Sequence, residues 1–158
     1  ELRAYWKLLR DRPGNEAAVL RLHLLTGGQR IEQFVRLRWV DVTDDAMTIF
    51  DGKGRPGQGP RPYQIPLLEP AREALATLKR EGEYVISTTA GKKPISVRTL
   101  AGWAQDIVVD SIEGFQLKRI RSGVGQCPPT SEFTSASTWA GPPAASILRS
   151  LPSEENVR

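Results

Sequence analysis

Thr26-Gly27-Gly28-Gln29-Arg30-Ile31-Glu32 follows the apolar residues Leu22, Leu24 and Leu25. Paired glycines stop a helix, and Ile31 begins the next apolar pattern, predicting a third helix over 31–37. Arg30 thus stands where a helix opens, its guanidinium beside backbone N–H groups that have no helical acceptor. That combination suits an anionic oxygen ligand. Taken alone, the motif also reads as a glycine stop followed by a surface arginine.

Upstream, Leu2 to Leu9 reads as a short amphipathic helix closed by Asp11-Arg12-Pro13-Gly14. Glu16 to Leu25 reads as a second helix, apolar at Ala17, Val19, Leu20, Leu22, Leu24 and Leu25. Downstream, Ala46–Phe50 and Tyr63–Pro66 read as strands of a hairpin with a long Gly/Pro-rich connection. Pro70–Arg80 is predicted helical, Tyr84–Ser87 a short strand, Val97–Ser111 a longer helix, and Phe115–Val124 the start of another. The expected class is α+β, mainly helical with a small antiparallel sheet.

Two further basic features lie in this frame. Lys53, in Asp51-Gly52-Lys53-Gly54, sits at the hairpin tip. It can reach a phosphate or simply be solvated, and Gly54 in place of Ser or Thr excludes a P-loop. Lys118 and Arg121, in Gln116-Leu117-Lys118-Arg119-Ile120-Arg121, are three apart and predicted to share one helix face. Alone, such a pair is a solvated basic face.

The 158 residues are 39% apolar and 25% charged, sufficient for one core-forming domain. Twenty-two basic and eighteen acidic side chains leave a net charge of +4. Residues 1–124 hold 20 basic and 15 acidic groups, and residues 125–158 hold 2 and 3. The later segment carries Pro128, Pro129, Pro142, Pro143 and Pro152 among Ser, Thr and Ala, with no helical or strand period. It is expected to be a poorly ordered tail beside a folded body of 1–124. One cysteine, Cys127, excludes an internal disulfide, and one histidine, His23, excludes any site needing two imidazoles. His23 reads as structural, and Trp6, Trp39 and Trp103 as core or rim aromatics. No apolar run approaches the roughly 20 residues of a membrane span, and the N-terminus does not resemble a signal peptide.

In order, an arginine after a glycine turn, a lysine in a hairpin and a basic-x-x-Arg on a later helix resemble the tyrosine recombinase (phage integrase) family. Leu24-Leu25-Thr26-Gly27-Gly28-Gln29-Arg30 running into Arg36-Leu37-Arg38-Trp39-Val40-Asp41-Val42 resembles its first arginine box and the strand entry that follows it. Asp51-Gly52-Lys53-Gly54 with Ile65-Pro66-Leu67 resembles its lysine hairpin, and Phe115 to Arg121 its second, His-x-x-Arg, box. Lys118 stands where the family has histidine, and Gln33 where an acidic residue is common.

The resemblance implies the catalytic-domain fold, double-stranded DNA as partner, other recombinase protomers on that DNA, and neither metal nor small-molecule cofactor. It also implies a cytoplasmic, bacterial or phage-derived protein of a mobile element. Arg30, Lys53, Lys118 and Arg121 would be the catalytic residues. The tyrosines are Tyr5, Tyr63 and Tyr84, all before the second box, so the family's nucleophilic tyrosine has no counterpart after it. The expectation is a partial catalytic domain, truncated or frameshifted before the nucleophile, without an N-terminal clamping domain and inactive alone. The alternative is a non-catalytic duplex-DNA-binding module or decayed integrase remnant. A generic helical interaction domain leaves the three ordered basic positions unexplained.

Overall fold

Helix α1 (Leu2–Leu9) turns Tyr5 and Leu9 inward, four residues apart on one face. The side chain of Arg21 secures its end: Nη1 donates to the carbonyls of Leu9 at 2.8 Å and Arg12 at 2.6 Å. A cation beside the last carbonyl of α1 also suits the C-terminal end of the helix dipole. After Gly14, helix α2 (Asn15–Leu25) buries Ala17, Ala18, Val19, Leu20, Leu22, His23 and Leu24. A helix buried on nearly every side is the central one, and α2 packs on α1 and on helices α4 (Glu69–Ala76) and α5 (Val97–Val108). These coordinates are a computed structural model describing residues 1–52, 57, 59–109 and 111–124.

Helix α3 spans Ile31–Phe34 rather than 31–37. Arg36 and Leu37 donate to Gln33 and Phe34, three residues back, so the helix tightens into 3₁₀ turns. Strands β1 (Ala46–Asp51) and β2 (Arg61–Pro66) form a two-stranded antiparallel sheet in the register Met47↔Ile65, Ile49↔Tyr63, Asp51↔Arg61. Directly opposed residues share a face, as do alternate residues along a strand. The face that buries Met47, Ile49 and Ile65 therefore also carries Tyr63, Asp51 and Arg61. It grades from apolar to charged toward the connection.

Tyr84–Ser87 does not form the expected strand. Tyr84 makes an isolated bridge with Arg38, and Val85 and Trp39 exchange backbone bonds with Leu37 and Glu83. The segment then bends sharply: the Gly91 carbonyl accepts from both Glu83 and Tyr84. A β-carbon on Gly91 would lie 1.7 Å from the Glu81 carbonyl oxygen, so the chains cross only because this residue is glycine. Val85 and Ile86 are buried next to that crossing without belonging to a strand.

Helix α4 ends at Ala76, before the expected Arg80. Thr77 Oγ1 donates back to the Ala74 carbonyl, and Leu78 N–H bonds three residues back to Leu75. Helix α5 is capped by Ser96, whose Oγ accepts from the Thr99 N–H at 3.0 Å, and it buries Leu100, Ala104, Ile107 and Val108. It closes at Val108, where Val109 turns extended. The last expected helix divides: Leu117–Arg119 is a 3₁₀ turn and α6 covers Ile120–Val124. Phe115 stacks on Tyr5 with ring centroids 4.6 Å apart, joining this end to α1. Burial pushes the Tyr5 phenol well above its ordinary range. The architecture is helix-rich with one small antiparallel sheet. The tail, 125–158, and Lys53 lie outside the described residues.

Candidate functional site

The site grows from the end of α2. Gly28 N–H donates to the His23 carbonyl and Gly27 N–H to Leu24, the paired bonds of a Schellman cap. Both glycines have positive φ, 85° and 62°. At Gly28 a second constraint applies: a β-carbon there would stand 2.7 Å from both the Arg121 backbone nitrogen and Ile120 Cγ2. The glycine turn and the first turn of α6 are therefore in direct contact. This contact brings the Arg30 segment to the Arg121 segment.

His23 holds the turn from beneath. Its Nε2 lies 2.8 Å from the Gln29 carbonyl, which can only accept, so Nε2 carries the proton. The ring is 1% exposed and packs on Phe34, with centroids 4.9 Å apart. Burial lowers its pKa to about 4, against the opposing pull of the Gln29 bond. His23 is structural, one residue removed from Arg30 through that carbonyl.

Arg30 occupies the N-terminal flank of α3. Its Nη1 meets both Asp51 carboxylate oxygens, at 3.2 and 3.3 Å. The two side chains are 38% and 33% exposed, so the pair contributes only about 0–1 kcal/mol. Among the described residues the remaining guanidinium N–H groups of Arg30 have no protein acceptor. Gln33 Nε2 donates to Asp51 Oδ1 at 2.6 Å, and the Tyr63 hydroxyl lies 3.1 Å from both Gln33 Oε1 and Gln29 Oε1. Gln29 Nε2 donates to the Thr26 carbonyl. Both amide orientations are thus fixed by acceptor-only partners, and one phenolic proton serves two oxygens. Burial raises the Tyr63 pKa, Arg121 and Arg30 oppose the shift, and Asp51 reinforces it. The phenol therefore lies within electrostatic reach of both arginines.

Of the four residues named from sequence, the fold brings the Arg30 and Arg121 segments together. Lys118 is exposed in the 3₁₀ turn preceding α6, so it and Arg121 do not share one continuous helix. Lys53 lies outside the described residues; before it β1 ends at Asp51, which meets Arg30, and after it β2 begins at Arg61, opposite Asp51. Sequence reasoning missed Asp51, Gln29 and Tyr63 as members of the site and treated Gln33 only as a departure. Strand alternation was the available signal, because it puts Asp51 and Tyr63 on the inward face once the register is known. No group of three or more metal-ligating side chains occurs among the described residues, and none of their helices is long and apolar enough to cross a membrane.

No family model matches the chain, and no curated protein matches it in sequence. Solved structures do. A lambda integrase tetramer bound to a Holliday junction is 19% identical, with a TM-score of 0.55 over 86% of this chain and 44% of that one. Lambda integrase residues 75–356 bound to DNA give 20% identity and 0.55 over 78% of this chain and 47% of that one. The lambda integrase catalytic core gives 20% and 0.55, covering 78% of this chain and 77% of that one. The chain thus spans under half of the longer integrase chains and most of the catalytic core. Its fold is the fold of that core.

Proposed function

We propose that this chain binds duplex DNA through the Arg30–Arg121 face and supplies the arginine side of an active site that breaks and rejoins DNA, as in the phage integrases. The apposition of Gly28 and Arg121 carries the reading, because it joins two arginine segments remote in sequence beside a guanidinium edge with no acceptor among the described residues. The fold shared with DNA-bound lambda integrase supports it.

In this reading a tyrosine hydroxyl attacks the DNA phosphorus. It releases its proton to solvent water as the oxygen–phosphorus bond forms, and the bond to the 5′ oxygen breaks. Arg30 and Arg121 bind the non-bridging oxygens, whose charge grows in the transition state. Lys53 protonates the leaving 5′ oxygen, and Lys118 adds positive charge at the phosphate. The phosphotyrosyl bond conserves the energy for rejoining, so the reaction needs neither metal nor nucleotide. Further protomers on the same DNA would complete the assembly.

A second reading, a DNA-binding module without catalysis, is favoured by the tyrosines. Tyr5 is 0% exposed, the Tyr63 hydroxyl is bonded to two glutamines, and Tyr84 bridges to Arg38 rather than to the Arg30 segment. Fluorescence anisotropy with a labelled duplex at several salt concentrations tests the shared claim. Salt-dependent binding weakened by Arg30→Ala and Arg121→Ala is expected; salt-independent binding or none overturns both readings.

A further inference from the structure

Asp51 ends β1, and Gly52 and Lys53 follow it directly. Its carboxylate is closer to the Gln33 amide, at 2.6 Å, than to the Arg30 guanidinium, at 3.2 and 3.3 Å. A carboxylate bonded to a cation ordinarily closes to about 2.7–2.9 Å. Of these two contacts the amide is the shorter, and the arginine stands beyond the usual charge-assisted distance. The Gln33 amide is itself oriented from its other end by the Tyr63 hydroxyl. The chain of contacts runs from β2 through α3 to the last residue of β1, and it leaves the arginine only partly neutralised.

We propose that Gln33 and Asp51 act as one positioning pair, a single amide bonded to a single carboxylate. The pair anchors the root of the Lys53 hairpin against Arg30, and the carboxylate can work from either position. The proposal rests on the DNA-binding reading above. Exchanging the two groups preserves one N–H···O bond and moves the negative charge by about one hydrogen-bond length. Two carboxylates at the same separation would instead repel, or share a proton taken up at mildly acidic pH. Among the described residues, the charged and titratable groups facing the pair are Arg30 at the start of α3, Arg61 and Tyr63 on β2, and Arg121 on α6.

The test uses the full chain as wild type, Gln33→Glu, Asp51→Asn and the double exchange, at pH 5.5 and pH 8. Affinity for a labelled duplex and the thermal midpoint are both read, each against wild type at the same pH. Gln33→Glu is expected to bind about fivefold more weakly at pH 8, the size of one added like charge near the site, and to recover much of this at pH 5.5. The double exchange is expected to return to within about twofold of wild type at both pH values, as a coupled pair requires. Unchanged affinity in Gln33→Glu with only a lower midpoint would reduce the pair to a structural contact and overturn the proposal. A double exchange as weak as Gln33→Glu would also overturn it. If wild type binds no duplex, the DNA reading fails, and the pair is judged on the midpoints: rescue at pH 8 upholds the anchoring, and its absence ends it.

Discussion

Gly28 lies against the backbone of Arg121, so closely that a single added carbon would stand 2.7 Å from the Arg121 nitrogen. The residue that lets the chain turn out of α2 is the same one that admits α6 to the site. Gly28→Ala therefore meets two penalties, a positive φ of 62° and a backbone clash. A loss of about 2–4 kcal/mol in denaturant unfolding is expected, with weaker duplex binding by the protein that remains folded. A change below about 0.5 kcal/mol would show that the two segments are not packed as described.

His23 makes stability depend on pH. Its folded pKa of about 4 lies below the 6.5 of an unfolded histidine, so between those values the unfolded chain binds more protons. The contribution is complete above about pH 6.5, falls as pH drops toward 4, and flattens below that. The full span is about 3 kcal/mol. Urea titrations from pH 4 to 8 should show the slope, and His23→Gln should abolish most of it.

On the DNA-binding reading, Arg30→Ala and Arg121→Ala each remove one charge that neutralises a phosphate. Each should reduce the slope of log K against log salt by about 0.9, with little change in duplex sequence preference. An unchanged slope in either variant would place that arginine off the DNA.

No covalent protein–DNA band is expected when the chain alone meets a nicked suicide duplex and is run on a denaturing gel. The buried phenol of Tyr5 cannot reach a phosphate, the Tyr63 hydroxyl is occupied by two amide oxygens, and Tyr84 bridges to Arg38 rather than to the Arg30 segment. A band that persists in Tyr63→Phe but disappears in Arg121→Ala would reveal another nucleophile at the described site.

Tyr63→Phe separates the phenol from its ring. Loss of one hydroxyl donor shared by Gln29 and Gln33 should cost about 1 kcal/mol, since the ring still fills its place. Differential scanning calorimetry checks this; a stabilised variant would mean the two amide oxygens need no donor there.

The helix order and the approach of the Arg30 and Arg121 segments were legible in the sequence, the first from apolar spacing and proline or glycine stops, the second from motif order. Asp51 and Tyr63 were not, because their inward placement follows from pairing between two strands and no single segment carries it. Gln33 looked like a missing acid for the same reason, since the carboxylate that it meets comes from β1. Tyr84–Ser87 misled in the opposite way. Val85 and Ile86 are as apolar as a strand requires, but they are buried at a crossing enabled by Gly91, and no ladder forms. Helix ends were overextended wherever a back-bonding threonine or a 3₁₀ turn closed them early, as at Thr77 and after Phe34.

The graded face of the hairpin gives the molecule a form of proofreading. Met47 and Ile49 lie on the same face as Asp51, so a one-residue slip in pairing would expose both apolar side chains and turn the carboxylate away from Arg30. Burial of those two side chains is worth about 3–6 kcal/mol, far more than the exposed ion pair can supply. Errors in the polar corner are thus rejected by the oily end of the same two strands. A chain that has folded stably has already set its carboxylate beside its arginine.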